Sequence, residues 1–187
     1  MTLSALGIFS AAGAGGAVGD YELIQTQILG TAQSSITFSN LGNFSSTYKH
    51  LQLRFAARTT RNGAIDLINL RFNGDTGGNY SLHRLTGNGS SVASAGANGQ
   101  SSFYVGIIAG ATAGGSQFGA GVADLLDVYS TTKNKTSRAL TGTTTGPEIN
   151  IYSGAWYNTN SVTSFNLFPL EGNFVVGSRF SLYGIRG

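Results

Sequence analysis

The stretch Leu51-Gln52-Leu53-Arg54-Phe55 alternates apolar and polar side chains, and Ile68-Asn69-Leu70-Arg71-Phe72 repeats the pattern further along the chain. Successive side chains of a β-strand point to opposite faces of its sheet, so this period of two predicts strands with one buried side and one solvent-facing side. Such strands are typical of antiparallel sheets, because buried parallel strands read as continuous apolar runs.

Shorter alternating stretches flank these two: Ser35–Phe38, Phe103 with Val105 and Ile107, Ile149 with Ile151, Phe165–Leu167 and Phe180–Leu182. Turn-forming pairs separate them: Asn62-Gly63, Asn73-Gly74, Gly77-Gly78, Asn88-Gly89, Asn98-Gly99 and Gly172-Asn173. Asn and Gly tolerate the positive φ of tight hairpin turns. We therefore expect one all-β domain over residues 20–187, an antiparallel β-sandwich of jelly-roll type with about eight strands.

Two segments depart from the alternation. The Gly/Ala-rich stretch Gly110–Gly121 predicts a long loop at one end of the sandwich. Ala123–Tyr129 is the best candidate for a helix, although it is short for one.

The composition excludes several classes of protein. Of 187 residues, 10% are charged, against about 25% in typical domains. The 11 Phe and 8 Tyr argue against a disordered chain, and the absence of cysteine excludes a disulfide scaffold, a zinc ribbon and a cysteine nucleophile. The net charge of +3 comes from thinly spread groups, so we expect no nucleic-acid partner.

Residues Met1–Gly19 carry no charged side chain, and the first lysine is Lys49. A signal peptide needs a positive start, and a membrane-spanning helix needs about 20 strongly apolar residues. We expect neither, and no membrane partner. Two interpretations stay open: a free terminus, or an extended arm (residues 1–19) that docks on a partner. The docking residues of such an arm are Leu3, Leu6, Ile8 and Phe9, with the Gly/Ala tract as a hinge.

Signals for catalysis and for cofactors are weak. There is no Gly-x-Ser-x-Gly elbow and no phosphate-binding Gly-Lys pair, and His50 and His83 are too far apart in sequence to suggest a metal site. Asp124 and Asp127 are near each other in sequence, and a glycan hydrolase needs a pair of carboxylates that flank the sugar. We expect no enzyme activity, no cofactor and no metal.

Three polar features are candidates for binding. Asn73, Asp75 and Asn79 stand at alternate positions, as in calcium loops, but without the closing glutamate. Trp156 and Tyr157, beside Asn and Thr, are candidate contacts for a sugar ring. Five arginines fall close together in sequence, and several would share a face if their strands pair; they are Arg54, Arg58, Arg61, Arg71 and Arg84.

Four segments together resemble a group of small structural proteins of tailed double-stranded DNA bacteriophages. They are Tyr21-Glu22-Leu23-Ile24, Tyr48–Arg54, Leu70–Asp75 with Asn79-Tyr80, and Gly172-Asn173-Phe174 with Gly177–Ile185. The resemblance covers nearly all of residues 20–187 and implies a virion protein with a jelly-roll domain. It offers no catalytic residues.

From this resemblance we expect a non-enzymatic virion protein, a capsid decoration (cement) protein anchored by its N-terminal arm. Its partners would be other virion proteins, and jelly-roll virion proteins in general suggest a homotrimer. One alternative is a tail-fibre or tail-tip component that binds host cell-surface glycan through Trp156 and Tyr157. A glycan hydrolase using Asp124 and Asp127 is the weaker alternative.

Overall fold

The computed structural model describes residues 20–145 and 148–187, which form twelve β-strands and one 3₁₀ helix, Leu41–Phe44. The strands are β1 (Tyr21–Ile28), β2 (Ile36–Phe38), β3 (His50–Ala57), β4 (Ile65–Phe72), β5 (Tyr80–Gly87), β6 (Val92–Gln100), β7 (Phe103–Ala109), β8 (Gly119–Leu126), β9 (Lys135–Thr143), β10 (Glu148–Trp156), β11 (Phe165–Pro169) and β12 (Arg179–Ile185).

The strands make two antiparallel sheets that pack face to face. The larger sheet has eight strands in the order β1-β12-β3-β8-β9-β10-β5-β6, and the smaller has four in the order β2-β11-β4-β7. The alternation read from the sequence holds in both sheets: Leu51, Leu53 and Phe55 are buried on β3, as are Leu70 and Phe72 on β4. The predicted β-sandwich is confirmed.

Eight of the strands pair as a nested set. The first strand pairs with the last (β1 with β12), and β2 with β11, β3 with β8 and β4 with β7 follow inward. This is a long hairpin curled into two four-stranded layers, which is the jelly roll. The predicted strands that fall within this nested set are β2, β3, β4, β7, β11 and β12, whereas β1 and β8 were not predicted as strands. The predicted number of about eight is lower than the twelve strands of the described residues.

Four further strands lie outside the nested set, and of these only β10 was predicted, from Ile149 and Ile151. β5–β6 is a hairpin inserted between β4 and β7, and β9–β10 is a second hairpin inserted between β8 and β11. β10 pairs with β5, so both hairpins join the larger sheet side by side beyond β8. The insertions widen one layer without altering the nested pairing.

Aromatic rings join the two layers in the core. Phe72 on the smaller sheet lies with its ring centroid 5.4 Å from Trp156 on the larger sheet and 5.7 Å from Phe103. Tyr80 stacks on Trp156 at 6.3 Å, and all four residues are buried. Aromatic pairs at these separations stabilise a core beyond the area that they bury.

Two residues of the phage-like segments meet in this fold. The Tyr48 ring packs flat against the backbone of Gly184 on β12, where any Cβ would overlap ring atoms. The Tyr48 hydroxyl donates to Glu22 on β1 at 2.6 Å. Tyr48 thus contacts both β12 and β1, whose residues are far apart in the sequence.

Three local predictions are wrong. Ala123–Tyr129 is not a helix: Ala123 and Leu125 belong to β8, which ends before Asp127, a residue with φ of 50°. The loop predicted over Gly110–Gly121 ends at Phe118, because Gly119 begins β8. Asn98-Gly99 is not a turn but lies within β6, beside a register irregularity in its pairing with β5.

Candidate docking surface

The predicted docking residues of the arm, Leu3, Leu6, Ile8 and Phe9, lie outside the described residues, as does the whole of residues 1–19. The arm therefore stays a prediction. What the structure describes is the surface of the domain to which that arm is joined.

The prediction that Trp156 contacts a sugar is wrong, because its side chain is 1% exposed and its ring is enclosed in the aromatic core. Its Nε1 donates to the Asp75 carboxylate at 2.7 Å. Tyr157 is 53% exposed, and its hydroxyl bonds Ser81 at 3.0 Å. Of the predicted pair, only Tyr157 offers a ring face to a ligand.

The loop after β4 uses its oxygens internally. Asp75 accepts from Gly77 N–H at 2.8 Å, from Asn79 Nδ2 at 2.9 Å and from Trp156, and this last bond is the main reason why the pKa of Asp75 is lowered. Asn73 and Gly74 both have positive φ, as a type I′ turn requires. The turn and its hydrogen bond to Trp156 therefore account for the oxygen-bearing side chains at the alternate positions 73, 75 and 79.

The two acids of the hydrolase alternative are held in separate ion pairs. Asp124 accepts from Arg138 Nε at 2.9 Å and from Gln52 Nε2 at 2.8 Å. Asp127 binds Lys133 Nζ at 2.9 Å, and this bond is the main cause of its lowered pKa. A general acid needs a raised pKa near neutrality, so Asp127 is unsuited to that role.

The arginines do not gather on one face. Arg54 lies on the larger sheet, where its guanidinium stacks 4.5 Å from the centre of the Tyr183 ring. Arg71 lies on the smaller sheet, over Phe168 at 4.8 Å. Arg61 pairs with Glu171 at 3.3 Å. The condition for a shared basic face, pairing of the strands that carry Arg54 and Arg71, is not met, because β3 and β4 belong to different sheets.

Arg58 has a structural role that sequence reasoning missed. It is 8% exposed, and its two terminal nitrogens donate to four backbone carbonyls of the loop before β8, at 2.7–3.1 Å; these carbonyls belong to Ala111, Ala113, Gly114 and Gln117. A planar fork of donors suits this role. One side chain therefore organises a Gly/Ala-rich loop that has little side-chain packing of its own.

The described part of the chain brings no three His, Asp or Glu side chains into a group that could hold a metal ion. The Nδ1 atom of His50 accepts the backbone N–H of Asp127 at 2.8 Å, which fixes that histidine in a structural bond. His83 lies on β5, away from His50 in the fold as well as in the sequence.

The most unusual surface is the outer face of the larger sheet. Cross-strand pairing sets Leu85, Ile151, Leu140 and Val122 in one row across β5, β10, β9 and β8. A second row beside it carries Val92 and Ile149, with Gly87 between them and Gly142 on the far side of Ile149. We call these six residues the apolar face. Solvent-facing positions of an antiparallel sheet are normally polar.

The exposure of these side chains is high. Ile149 is 58% exposed, Ile151 52%, Leu85 and Leu140 47% each and Val92 73%. The alternation of Ile149 with Ile151 predicted their common face correctly but suggested that this face is the buried one. On β10 the buried face instead carries Asn150, Tyr152 and Trp156.

A groove deepens the apolar face at one end. It has a volume of about 680 Å³ and is lined by Val122, Leu140 and Ile149 together with Phe55, Phe118 and Ala120, while Glu148, Thr141, Thr143 and Thr144 form its polar part. Contiguous exposed apolar surface of this kind marks interaction sites in soluble proteins. The groove gives the face a recess for a side chain of a partner.

A charged row borders the apolar face on its other side. Arg138, Asp124 and Gln52 are cross-strand neighbours, and Arg54 ends the apolar row next to Val122. By contrast, β6 at the far edge of the sheet has no charged residue from Val92 to Gln100, and most of it is exposed. The surface is therefore uncharged towards β6 and charged towards β3.

A second cleft, of about 360 Å³, is polar and lies near the end of β8. Tyr48, Lys49, Asp127, Tyr129 and Lys133 are among its lining residues. The Tyr129 hydroxyl is buried without a hydrogen-bond partner among the described residues, and burial raises its pKa to about 12. The cleft offers aromatic, hydroxyl and charged groups together.

No protein-family model, curated protein or solved structure matches this chain. Within residues 20–145 and 148–187, no helix has the length and apolar character needed to cross a membrane.

Proposed function

We propose that this chain is a non-enzymatic structural protein of a tailed-phage virion, a capsid decoration protein anchored by its Met1–Gly19 arm. The observation that carries the proposal is the apolar face, because an isolated domain is not stabilised by exposing it and an assembly is stabilised by covering it. The phage-like sequence segments give the proposal its family.

Those segments have structural roles in the described domain. Gly184 leaves room for the Tyr48 ring, and Asn73 accepts backbone N–H groups of Thr163 and Ser164 at 2.9 and 3.1 Å. A resemblance that rests on packing and turn residues indicates a shared scaffold rather than a shared reaction. This supports a structural role over an enzymatic one.

Repetition on a particle makes a weak arm effective. Burial of apolar side chains contributes about 25 cal/mol per Å², but ordering the arm costs about 1–2 kcal/mol per residue. One arm is therefore a weak anchor. Several copies joined together bind their sites cooperatively, since the second arm docks at a high effective concentration.

The test is removal of residues 1–19 followed by loading onto particles. We expect the truncated chain to unfold cooperatively as a β domain but to be lost from purified virions. As a control, replacing only Ala11–Gly19 with a Gly/Ser linker of equal length should preserve loading, because that tract serves as a hinge. Normal loading of the truncated chain would overturn the proposal.

The second candidate is a tail-tip component that binds host glycan. The polar cleft favours it, since aromatic and hydroxyl groups beside charged ones are suited to sugars. On a glycan array, binding that weakens in Lys133→Gln would support this role. Tyr157→Ala tests the contribution of the exposed Tyr157 ring separately. If the intact chain binds no glycan on the array, this candidate function is excluded.

A further inference from the structure

The apolar face has no covering element among the described residues, and its two rows together extend over five adjacent strands, β6, β5, β10, β9 and β8. Adjacent strands are about 4.8 Å apart, so the row from Leu85 to Val122 spans about 14 Å. A ligand that covers this face presents apolar groups along a line of about this length.

The first ten residues of the chain meet these requirements. When the segment is extended, Leu3 and Phe9 lie on one side and Leu6 and Ile8 on the other, so each side supplies two large apolar groups. The segment Met1–Ser10 contains no charged residue. At about 3.3 Å per residue, the six steps from Leu3 to Phe9 extend about 20 Å. An extended segment of this length covers the row with its ends to spare.

We propose that the apolar face of one copy binds the Met1–Ser10 segment of a neighbouring copy, so that the arms link the jelly rolls to one another. The inference rests on the docking role of the arm in the proposed function and names its partner: a second copy of this chain. The groove beside Ile149 is the recess for the largest side chain of the segment, Phe9.

The direction of approach favours a neighbour over the same chain. The arm of the same chain leaves the sheet at β1 and would have to cross the charged row, where the Arg138 side chain is 73% exposed. Apolar residues that cover these charged groups would displace their hydrating water and offer no hydrogen bonds in its place, which costs free energy. An arm arriving across β6 meets only uncharged residues.

The arm is also long enough to bridge two copies. From Asp20 to Phe9 the chain has eleven steps, about 36 Å when extended. The eight strands of the larger sheet span about 34 Å. The arm therefore reaches from one edge of its own sheet to a copy that lies beyond that edge.

The absence of cysteine in the chain allows a direct test. Full-length Phe9→Cys is mixed with ¹⁵N-labelled Ile151→Cys, oxidised mildly and resolved by intact-mass spectrometry. A disulfide requires Cα atoms about 4.4–6.8 Å apart. We expect a mixed-isotope disulfide dimer in high yield. The control uses Val176→Cys in place of Ile151→Cys, because Val176 is similarly exposed but lies outside the apolar face.

The double variant Phe9→Cys/Ile151→Cys is oxidised at high dilution to determine whether the apolar face binds the arm of its own chain or that of a neighbouring copy. A predominantly intrachain disulfide would overturn the inference, because it would place the arm on its own domain. A mixed dimer no more abundant than with Val176→Cys would also overturn it.

Association of the full chain gives a second measurement that does not depend on cysteine. In sedimentation velocity, Ile151→Asp should lower the association constant at least tenfold, whereas Val176→Asp should leave it unchanged. Equal association of both variants would overturn the inference. If truncation of residues 1–19 abolishes virion loading while these tests fail, the proposed function survives and this inference does not.

Discussion

Replacing Arg58 with methionine should destabilise the protein by removing the one side chain that holds the loop before β8. Arg58 is 8% exposed and donates four hydrogen bonds to loop carbonyls. Methionine has a similar length but no donor, so packing is largely kept. The expected loss of stability therefore measures the contribution of these hydrogen bonds.

The size of the stability loss depends on which of the four carbonyls can be hydrated by solvent in the variant. Ala111 and Gly114 are exposed, so their carbonyls can hydrate in the variant, whereas Ala113 is buried and Gln117 is half-buried. Hydrogen bonds to a charged group contribute about 1.5–3 kcal/mol each. Two bonds lost without replacement give about 3 kcal/mol, which in a domain of this size lowers the Tm by about 10 °C.

The assay is urea unfolding followed by circular dichroism, with limited proteolysis of the loop between β7 and β8. Arg138→Met is the matched control, because that arginine is 73% exposed in a surface ion pair worth less than about 1 kcal/mol. Arg58→Lys should recover only part of the loss, since an ammonium cannot fork across four carbonyls. A loss below about 1 kcal/mol in Arg58→Met, with the loop still protected, would refute the reasoning.

Three further variants test the packing and electrostatics of the domain. Gly184→Ala should cost about 1–3 kcal/mol in urea unfolding, because its Cβ would overlap the Tyr48 ring. Asp66→Asn should gain in stability relative to the wild type as pH rises from 4 to 7: burial raises the pKa of Asp66, so its carboxyl favours the fold while protonated and disfavours it once ionised. Trp156→Phe should cost about 2 kcal/mol at pH 7 and less at pH 3, because the lost bond is to the ionised Asp75.

Each of these variants has its own control. Gly30→Ala should be neutral, since no atom lies within 4 Å of the position that its Cβ would take. A stability difference between Asp66→Asn and the wild type that does not change with pH would contradict the buried-carboxyl argument. For Trp156→Phe, an equal loss at both pH values would mean that core packing, and not the bond to Asp75, is what the variant removes.

The sequence predicted the features that depend on local geometry. Alternation identified β3 and β4, and Asn73-Gly74 identified the turn that follows β4, because positive φ at both positions is a property of the residues themselves. It failed at β8, where Ala123, Leu125 and Leu126 also fit a helical spacing. There the pairing with β3 on one side and β9 on the other decides the structure.

The candidate site was harder to predict, because it depends on which face of a strand is covered. Alternation places Ile149 and Ile151 together but does not tell which side of β10 receives the smaller sheet. The role of Arg58 was hidden for a similar reason, since its partners are backbone carbonyls that carry no sequence signal. Trp156 is the converse case, with polar neighbours in sequence and a buried ring in the fold.

The apolar face lies mainly on the strands that are added to the jelly roll. Five of its six residues lie on β5, β6, β9 and β10, the two hairpins added to the jelly roll, and only Val122 belongs to a jelly-roll strand. The added strands also contribute to the core, since Tyr80, Tyr152 and Trp156 on β5 and β10 are buried. On these two strands one side is therefore determined by packing against the smaller sheet, whereas the outer side, which carries Leu85, Ile149 and Ile151, is not. For this reason the core pattern of the sequence does not identify the apolar face.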